Sequence, residues 1–414
     1  MTRKITFALL ALVLAMLPAA AQNQGLTSFN DNQGDHIYTQ HGFGSPNNND
    51  IFQVDPTLPW AGDMNQLSCS GGNPPPNTNG FSPSPVASFT DSAGQHLLYV
   101  DNKMHVRDLE YSSSCANLDL IALADLQPPL NSVPVSDGKS VAAYSDGQLE
   151  HAYYTGADGH VHHLFYVAGF VTHEDLTVKA GLTPSSPCGV ISSALTAFSD
   201  SRSSPIIELV YYVGSTNHLC ELALWQKSWG SYDLTAMCGS GCGAPIQRSP
   251  LTGFTDASGQ HVFYLDARGH VFEFSVSSSL SNLDLTTRFG STPAVADALT
   301  SISNAFGPQV IYVDKSQHVN QINLKTGVQD VTKLSGAALT LHAMSSCPNA
   351  ANVASPGTSL SSIGSDDKRG EDVFYIGADT HIWEIHSDGR TWSSFDLTQD
   401  YGGTTSFGTI ACIG

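Results

Sequence analysis

Hydrophobic residues along this chain fall in short alternating runs separated by clusters of Gly, Asp, Asn and Ser. Alternation with period two places side chains on opposite faces of a strand, and the intervening residues are turn formers. The spacing of a long amphipathic helix never takes over. The runs come in fours, and the fours repeat. One copy opens Leu251-Thr252-Gly253-Phe254-Thr255-Asp256 and continues Gln260-His261-Val262-Phe263-Tyr264-Leu265-Asp266. It proceeds through Gly269-His270-Val271-Phe272-Glu273-Phe274 and closes with Asn282-Leu283-Asp284-Leu285-Thr286. Another copy reads Val86 to Asp91, His96 to Asp101, His105 to Leu109, and Asn117-Leu118-Asp119-Leu120. Between the runs, Ala157-Asp158-Gly159 and Asp266-Ala267-Arg268-Gly269 have the composition of hairpin turns.

The same order recurs around Tyr154, Tyr212, Tyr312 and Tyr375, with a divergent first copy at Leu26-Thr27-Ser28-Phe29 and His36-Ile37-Tyr38. Four strands per copy and seven copies predict an all-β fold, a seven-bladed β-propeller with four short antiparallel strands per blade. A lone blade exposes both faces, and a ring of blades buries them. The predicted blades span approximately 26–68, 84–122, 139–178, 193–236, 249–287, 298–333 and 358–399. All lie in one domain, 22–414. The Pro-rich stretch Ser70 to Pro76 and the insertion Ser335 to Gly357 are loops between blades, and Ser406 to Cys412 is a candidate closing strand.

Residues 1–21 have a different character. Arg3 and Lys4 precede an apolar run from Ile5 to Leu17, and Pro18-Ala19-Ala20-Ala21 supplies small residues for cleavage. This is the pattern of a signal peptide, with a mature chain starting near Gln22 and a secreted or periplasmic destination. No later run is long enough to predict membrane insertion. Eight cysteines fit an oxidising compartment and predict disulfides, with Cys347–Cys412 one candidate pair. Cys238-Gly-Ser-Gly-Cys242 lacks the second ligand pair of a zinc knuckle and reads as part of the disulfide framework. The formal net charge of −20 repels phosphate backbones and excludes a nucleic-acid partner bound through a basic face.

Two polar positions recur within the blades, one three residues before the blade tyrosine and the other twelve further on. Blades two to seven place there His96 and Asp108, His151 and His163, Leu209 and Glu221, His261 and Glu273, Gln309 and Gln321, and Asp372 and Glu384. The first blade offers His36, with Gln53 displaced. On neighbouring strands such a pair projects from one face and presents a donor beside an acceptor, which suits sugar hydroxyls. An aromatic stands four residues before the closing Asp in two blades, Trp229 before Asp233 and Trp392 before Asp396, and stacking on the apolar face of a sugar ring or packing within the blade both suit them. A second histidine series, His105, His160, His218, His270, His318 and His381, sits beside the hairpin turns and reads as turn stabilisation.

The combination His-Val-Phe-Tyr, Gly-His-Val-x-Glu and Trp-x-x-x-Asp-Leu-Thr resembles the repeat of the fucose-binding β-propeller lectins, including their bacterial relatives, over nearly the whole mature chain. The resemblance implies sugar sites between neighbouring blades, built from an arginine, a glutamate and aromatics. The glutamate falls on Glu221, Glu273 and Glu384, with Asp108 a shorter acid. The arginine position holds His36, His96, His151, Leu209, His261, Gln309 and Asp372, whose hydrogen-bonding groups lack the arginine fork. The candidate ligand-binding residues are therefore His96, Asp108, Glu221, Trp229, His261, Glu273, Glu384 and Trp392.

The function expected is a secreted, non-catalytic carbohydrate-binding propeller with several non-identical sites for fucose or related glycans, its partners being glycans or glycoconjugates. The alternative is a protein-interaction propeller that has lost sugar binding. A glycosidase is the weaker reading: the sequence holds no nucleophile elbow and no metalloprotease helix, and Ser387-Asp388-Gly389-Arg390-Thr391-Trp392 is one residue short of a sialidase Asp-box. Nothing in the motifs calls for a cofactor, and His160-Val161-His162-His163 offers at most two metal ligands on one face.

Overall fold

The computed structural model describes residues 26–31, 34–41, 50–55, 60–63 and 86–400, except 102, 112–114, 127–131, 137–140, 148, 168–169, 190, 203–205, 240, 248, 278, 337–359, 365–369 and 378–380. The signal-peptide segment, the Cys347–Cys412 pairing and the tail strand lie outside them. The described strands form seven four-stranded antiparallel sheets, each built from four consecutive strands. They span 26–63, 86–119, 141–175, 191–233, 252–284, 294–330 and 360–396, here numbered blades 1 to 7. The first strand of each blade lies against the first strand of the next, and that of blade 7 lies against that of blade 1. The result is an all-β propeller closed as a ring of seven sheets.

Burial between blades drives this arrangement. Tyr38, Tyr99, Tyr154, Tyr212, Tyr264, Tyr312 and Tyr375, one per blade, are all fully buried. Apolar clusters fill the interfaces: Leu98, Val100 and Tyr154 between blades 2 and 3, and Tyr153, Val210 and Leu222 between blades 3 and 4. Leu26, Ile37, Phe374 and Ile382 join blade 7 to blade 1. Around the axis, small hydroxyl residues link first strands across interfaces, as in Thr27 to Ser88 (2.8 Å), Thr252 to Ser301 (2.8 Å) and Ser28 to Ser361 (2.6 Å). Among the described residues no blade borrows a strand from the other end of the chain, and the ring closes through apolar packing and the Ser28–Ser361 hydrogen bond.

The Asp-Leu-Thr element has a structural role that the strand pattern does not reveal. After the outer strand the chain makes a single helical turn, as at Leu120–Ala124, Leu234–Cys238 and Leu285–Phe289. The preceding Asp caps it: Asp284 accepts from the Thr287 amide at 2.8 Å. The same carboxylate meets Nδ1 of the turn histidine, at 2.8 Å for His270–Asp284 and 2.7 Å for both His218–Asp233 and His381–Asp396. The threonine then accepts the amide that follows the histidine, as Thr286 does from Val271 at 2.9 Å. One Asp thus fastens a hairpin, a strand end and a helical turn. Gly269, at a φ of +79°, allows this turn to press against Ala294, whose carbonyl oxygen would lie 2.4 Å from a Cβ there.

Two disulfides are described, Cys188–Cys220 and Cys238–Cys242. Cys188 and Cys220 are both buried in the apolar cluster between blades 3 and 4.

Candidate functional site between the blades

The recurrent polar pairs meet because of strand register. Phe263 stands opposite Glu273, so His261, two residues earlier on the same strand, lies diagonally across from the glutamate and on its face. His261 Nδ1 and Glu273 Oε1 are 2.6 Å apart, and His261 Nε2 also lies 3.2 Å from Asp256 and 2.9 Å from Ser258. His96 repeats the arrangement with Asp108 at 3.1 Å and Asp91 at 3.3 Å. His151 and His163 face each other at 3.0 Å, and Gln321 donates to Gln309. These pairs are buried: His96 is 1% exposed.

Burial opposes the charged form of His96, yet the hydrogen bond and charge of Asp108, aided by Glu150 and Asp91, outweigh it and raise the imidazole to about 9. His261 is raised in the same way by Glu273 and Asp256. Glu221 has no such partner. Burial lifts its carboxyl to about 7, only partly offset by the neighbouring Tyr211 hydroxyl. In blade 7 the pairing differs from the expected one, because Asp372 bonds His386 Nδ1 at 2.6 Å. Glu384 lies within the same Asp372, His386 and Glu384 group.

Five interfaces also receive a side chain from the following blade, the residue just before its own recurrent position. Gln95 bonds His36 at 3.0 Å, and Glu150 lies 3.9 Å from His96. Glu208 accepts from the Tyr153 hydroxyl at 2.9 Å, Gln260 from Tyr211 at 2.9 Å, and Glu371 from Gln321 at 2.9 Å. The sequence carries this signal as a Gln or Glu at the same place in five blades.

The tryptophans fall on the other side of their blades from the acids. Glu221 faces blade 5 through Tyr211 and Gln260, whereas Trp229 faces blade 3, where its Nε1 donates to Glu174 at 3.3 Å. Trp392 likewise donates to Gln329 of blade 6 at 3.3 Å. An acid and a tryptophan of one blade therefore serve different interfaces. The combination that the geometry produces is the polar pair of one blade with the tryptophan of the next.

That combination opens into a cleft between blades 3 and 4. It has a volume of about 400 Å³ and is lined by His151, His163, Phe165, Glu174, Glu208 and Trp229, with Lys179 and Lys227 at its border. Lys179 pairs with Glu174. Trp229, 7% exposed, stands edge-on to His163, with ring centroids 6.1 Å apart. A tight turn at Gln226 and Lys227, both at positive φ (49° and 70°), delivers the strand that carries Trp229. His163 is 3% exposed and its Nδ1 has no hydrogen-bond partner. Desolvation lowers the pKa values of both His151 and His163, so both rings are neutral at pH 7. The cleft thus combines an aromatic wall, two carboxylates, two lysines and two imidazoles.

No protein-family model matches the chain, and no curated protein matches its sequence. Solved structures do match the fold. The BP39L lectin from Burkholderia pseudomallei superposes with a TM-score of 0.56 at 13% identity, over 90% of this chain and 98% of that one. A triple arginine-to-alanine mutant of AofleA from Arthrobotrys oligospora gives 0.51 at 10% identity, over 91% and 87%. At such identities the likeness is one of fold, a β-propeller with four-stranded antiparallel blades.

Proposed function

We infer that the protein is a non-catalytic carbohydrate-binding propeller acting outside the cytoplasm, with its principal sugar site in the cleft between blades 3 and 4. The observation that carries this reading is the convergence of Trp229, Glu174, Glu208 and His163 on one open cavity. A sugar needs an apolar surface for its ring face and paired donors and acceptors for its hydroxyls, and the cleft offers both. The propeller likeness to a named lectin, BP39L, supports the same reading. The remaining interfaces, with His96 and Asp108, Glu221, His261 and Glu273, and Glu384, together with Trp392 at the blade 6 side, are proposed as degenerate subsidiary sites whose value is avidity. Fucose and related glycans are the sugars to test first.

A second reading, a protein-binding propeller, draws on one specific observation. At His261–Glu273 and His96–Asp108 the donor and acceptor satisfy each other, leaving less for a sugar to take.

The deciding experiment is a broad glycan array with the folded mature protein, Trp229→Phe and Glu273→Ala side by side. The cleft assignment predicts binding to a defined sugar class that falls at least tenfold in Trp229→Phe and little in Glu273→Ala. Loss in Glu273→Ala alone would move the site to the interface of blades 5 and 6. Silence across the array from folded protein would overturn the lectin reading in favour of the protein-binding one.

A further inference from the structure

We propose that His151, His163 and Glu208, at the inner end of the same cleft, form a binding site for a first-row divalent transition-metal ion of the zinc and cobalt class. The inference rests on the geometry of these three side chains and does not depend on sugar binding.

The donors come from three strands of two blades, His151 and His163 from blade 3 and Glu208 from blade 4, and one ligand atom from each lies within 4.8 Å of the others. His151 Nδ1 is 3.0 Å from His163 Nε2 and 3.6 Å from Glu208 Oε2. Tetrahedral coordination with bonds of about 2.0–2.1 Å places ligand atoms about 3.3 Å apart, between these two separations. The two rings lie nearly parallel, at 10°, and share one proton between facing nitrogens. An ion would take that position, the shared proton moving to the outer nitrogen of its own ring, with a tilt of the rings that converges the two facing lone pairs.

This interface differs from its counterparts in how its histidines are satisfied. His96 and His261 each have a carboxylate within hydrogen-bonding distance on both ring nitrogens. Within 3.5 Å, the ring nitrogens of His151 and His163 meet only each other, with the Glu208 and Asp146 carboxylates slightly farther from His151. His163 Nδ1 is buried without a partner, and His151 Nε2 stops 3.7 Å short of Asp146. His151 Nδ1, His163 Nε2 and a Glu208 carboxylate oxygen supply the nitrogen and oxygen donors that ions of this class take.

The surroundings supply the outer shell that metal ligands use. Tyr153 donates to Glu208 Oε2 at 2.9 Å and stacks on His163 at 4.4 Å, and Tyr144 stacks on His151 at 4.9 Å. Three protein ligands leave a fourth position, and the cleft gives it access to water or a ligand oxygen. The other His-containing group of blade 3, Asp158, His160 and Asp175, makes the turn contact seen in other blades and serves as the internal control.

The test uses the full mature protein stripped with chelator and then titrated with ZnCl₂ by calorimetry and with CoCl₂ by visible absorption. The expected result is one ion per chain at micromolar affinity or tighter, with the intense visible bands of four-coordinate Co²⁺. Glu208→Gln, close in shape to the native residue, and His163→Gln should each weaken binding at least tenfold, whereas His160→Gln should leave it unchanged. Circular dichroism melts identify variants that are folded, and Glu208→Gln carries the test if His163→Gln does not fold. Absence of stoichiometric binding in the native protein, or binding that survives Glu208→Gln and disappears in His160→Gln, would overturn the proposal. Zinc binding without any glycan signal would leave this site standing and remove the lectin reading, and the converse result would do the opposite.

Discussion

His96 and Glu221 are both buried at blade interfaces, and their immediate neighbours decide which charge survives there. His96 sits among Asp108, Asp91 and Glu150, and is cationic at neutral pH despite its burial. Glu221 has a tyrosine and no cation, so its carboxyl is raised to about 7. A carboxyl whose folded pKa exceeds its unfolded value of about 4.3 destabilises the fold progressively as pH rises between the two, and keeps that penalty above the folded value. Glu221→Gln should therefore raise the melting temperature at pH 8 and change it little near pH 4, measured by thermal melts across that range. No gain at pH 8 would mean that Glu221 holds its charge against a partner other than Tyr211. The sequence made these side chains legible as a recurrent polar pair. It did not show that most of the pairs are closed on themselves, since that depends on the diagonal register of neighbouring strands.

At the scale of elements, the His, Asp and Thr positions of the repeat form a fastening rather than a binding surface. Asp284 holds His270, caps the helical turn that follows and accepts the Thr287 hydroxyl as well as its amide. Asp284→Ala should cost about 1–2 kcal/mol, the range of a lost helix cap, read as a shift of the denaturant midpoint. His270→Gln should cost less, because the cap survives it. The one-turn helices themselves escaped the sequence pattern, since four or five residues are too few to show helical periodicity. The turn histidines were readable because a residue that recurs beside the same turn in six of seven blades answers a need of the blade itself. The Gln or Glu preceding the recurrent position, visible in five blades, was equally readable, but only the interface explains it.

Across the whole molecule, stability comes from seven interfaces closing on one another. With no strand exchanged among the described residues, the ring relies on contacts such as Leu26, Ile37 and Phe374 between blades 7 and 1. Blade 4 has an additional restraint, the buried Cys188–Cys220 bridge across a sequence separation of 32. A loop of this size restrains the unfolded chain enough for Cys188→Ser with Cys220→Ser to cost about 3–4 kcal/mol, measured by equilibrium denaturation in the absence of reductant. A loss well below that would place the stability of blade 4 in its apolar packing. By itself the sequence determined the strand repeat, its sevenfold count and the positions that carry polar or aromatic side chains, because two-residue alternation and turn composition are local properties. The partnership of Trp229 with His151, His163 and Glu208, and the separation of Trp229 from Glu221, were decided only by tertiary structure. Opposite faces of one blade belong to different interfaces, and every site between blades is assembled from residues that the repeat assigns to two different copies.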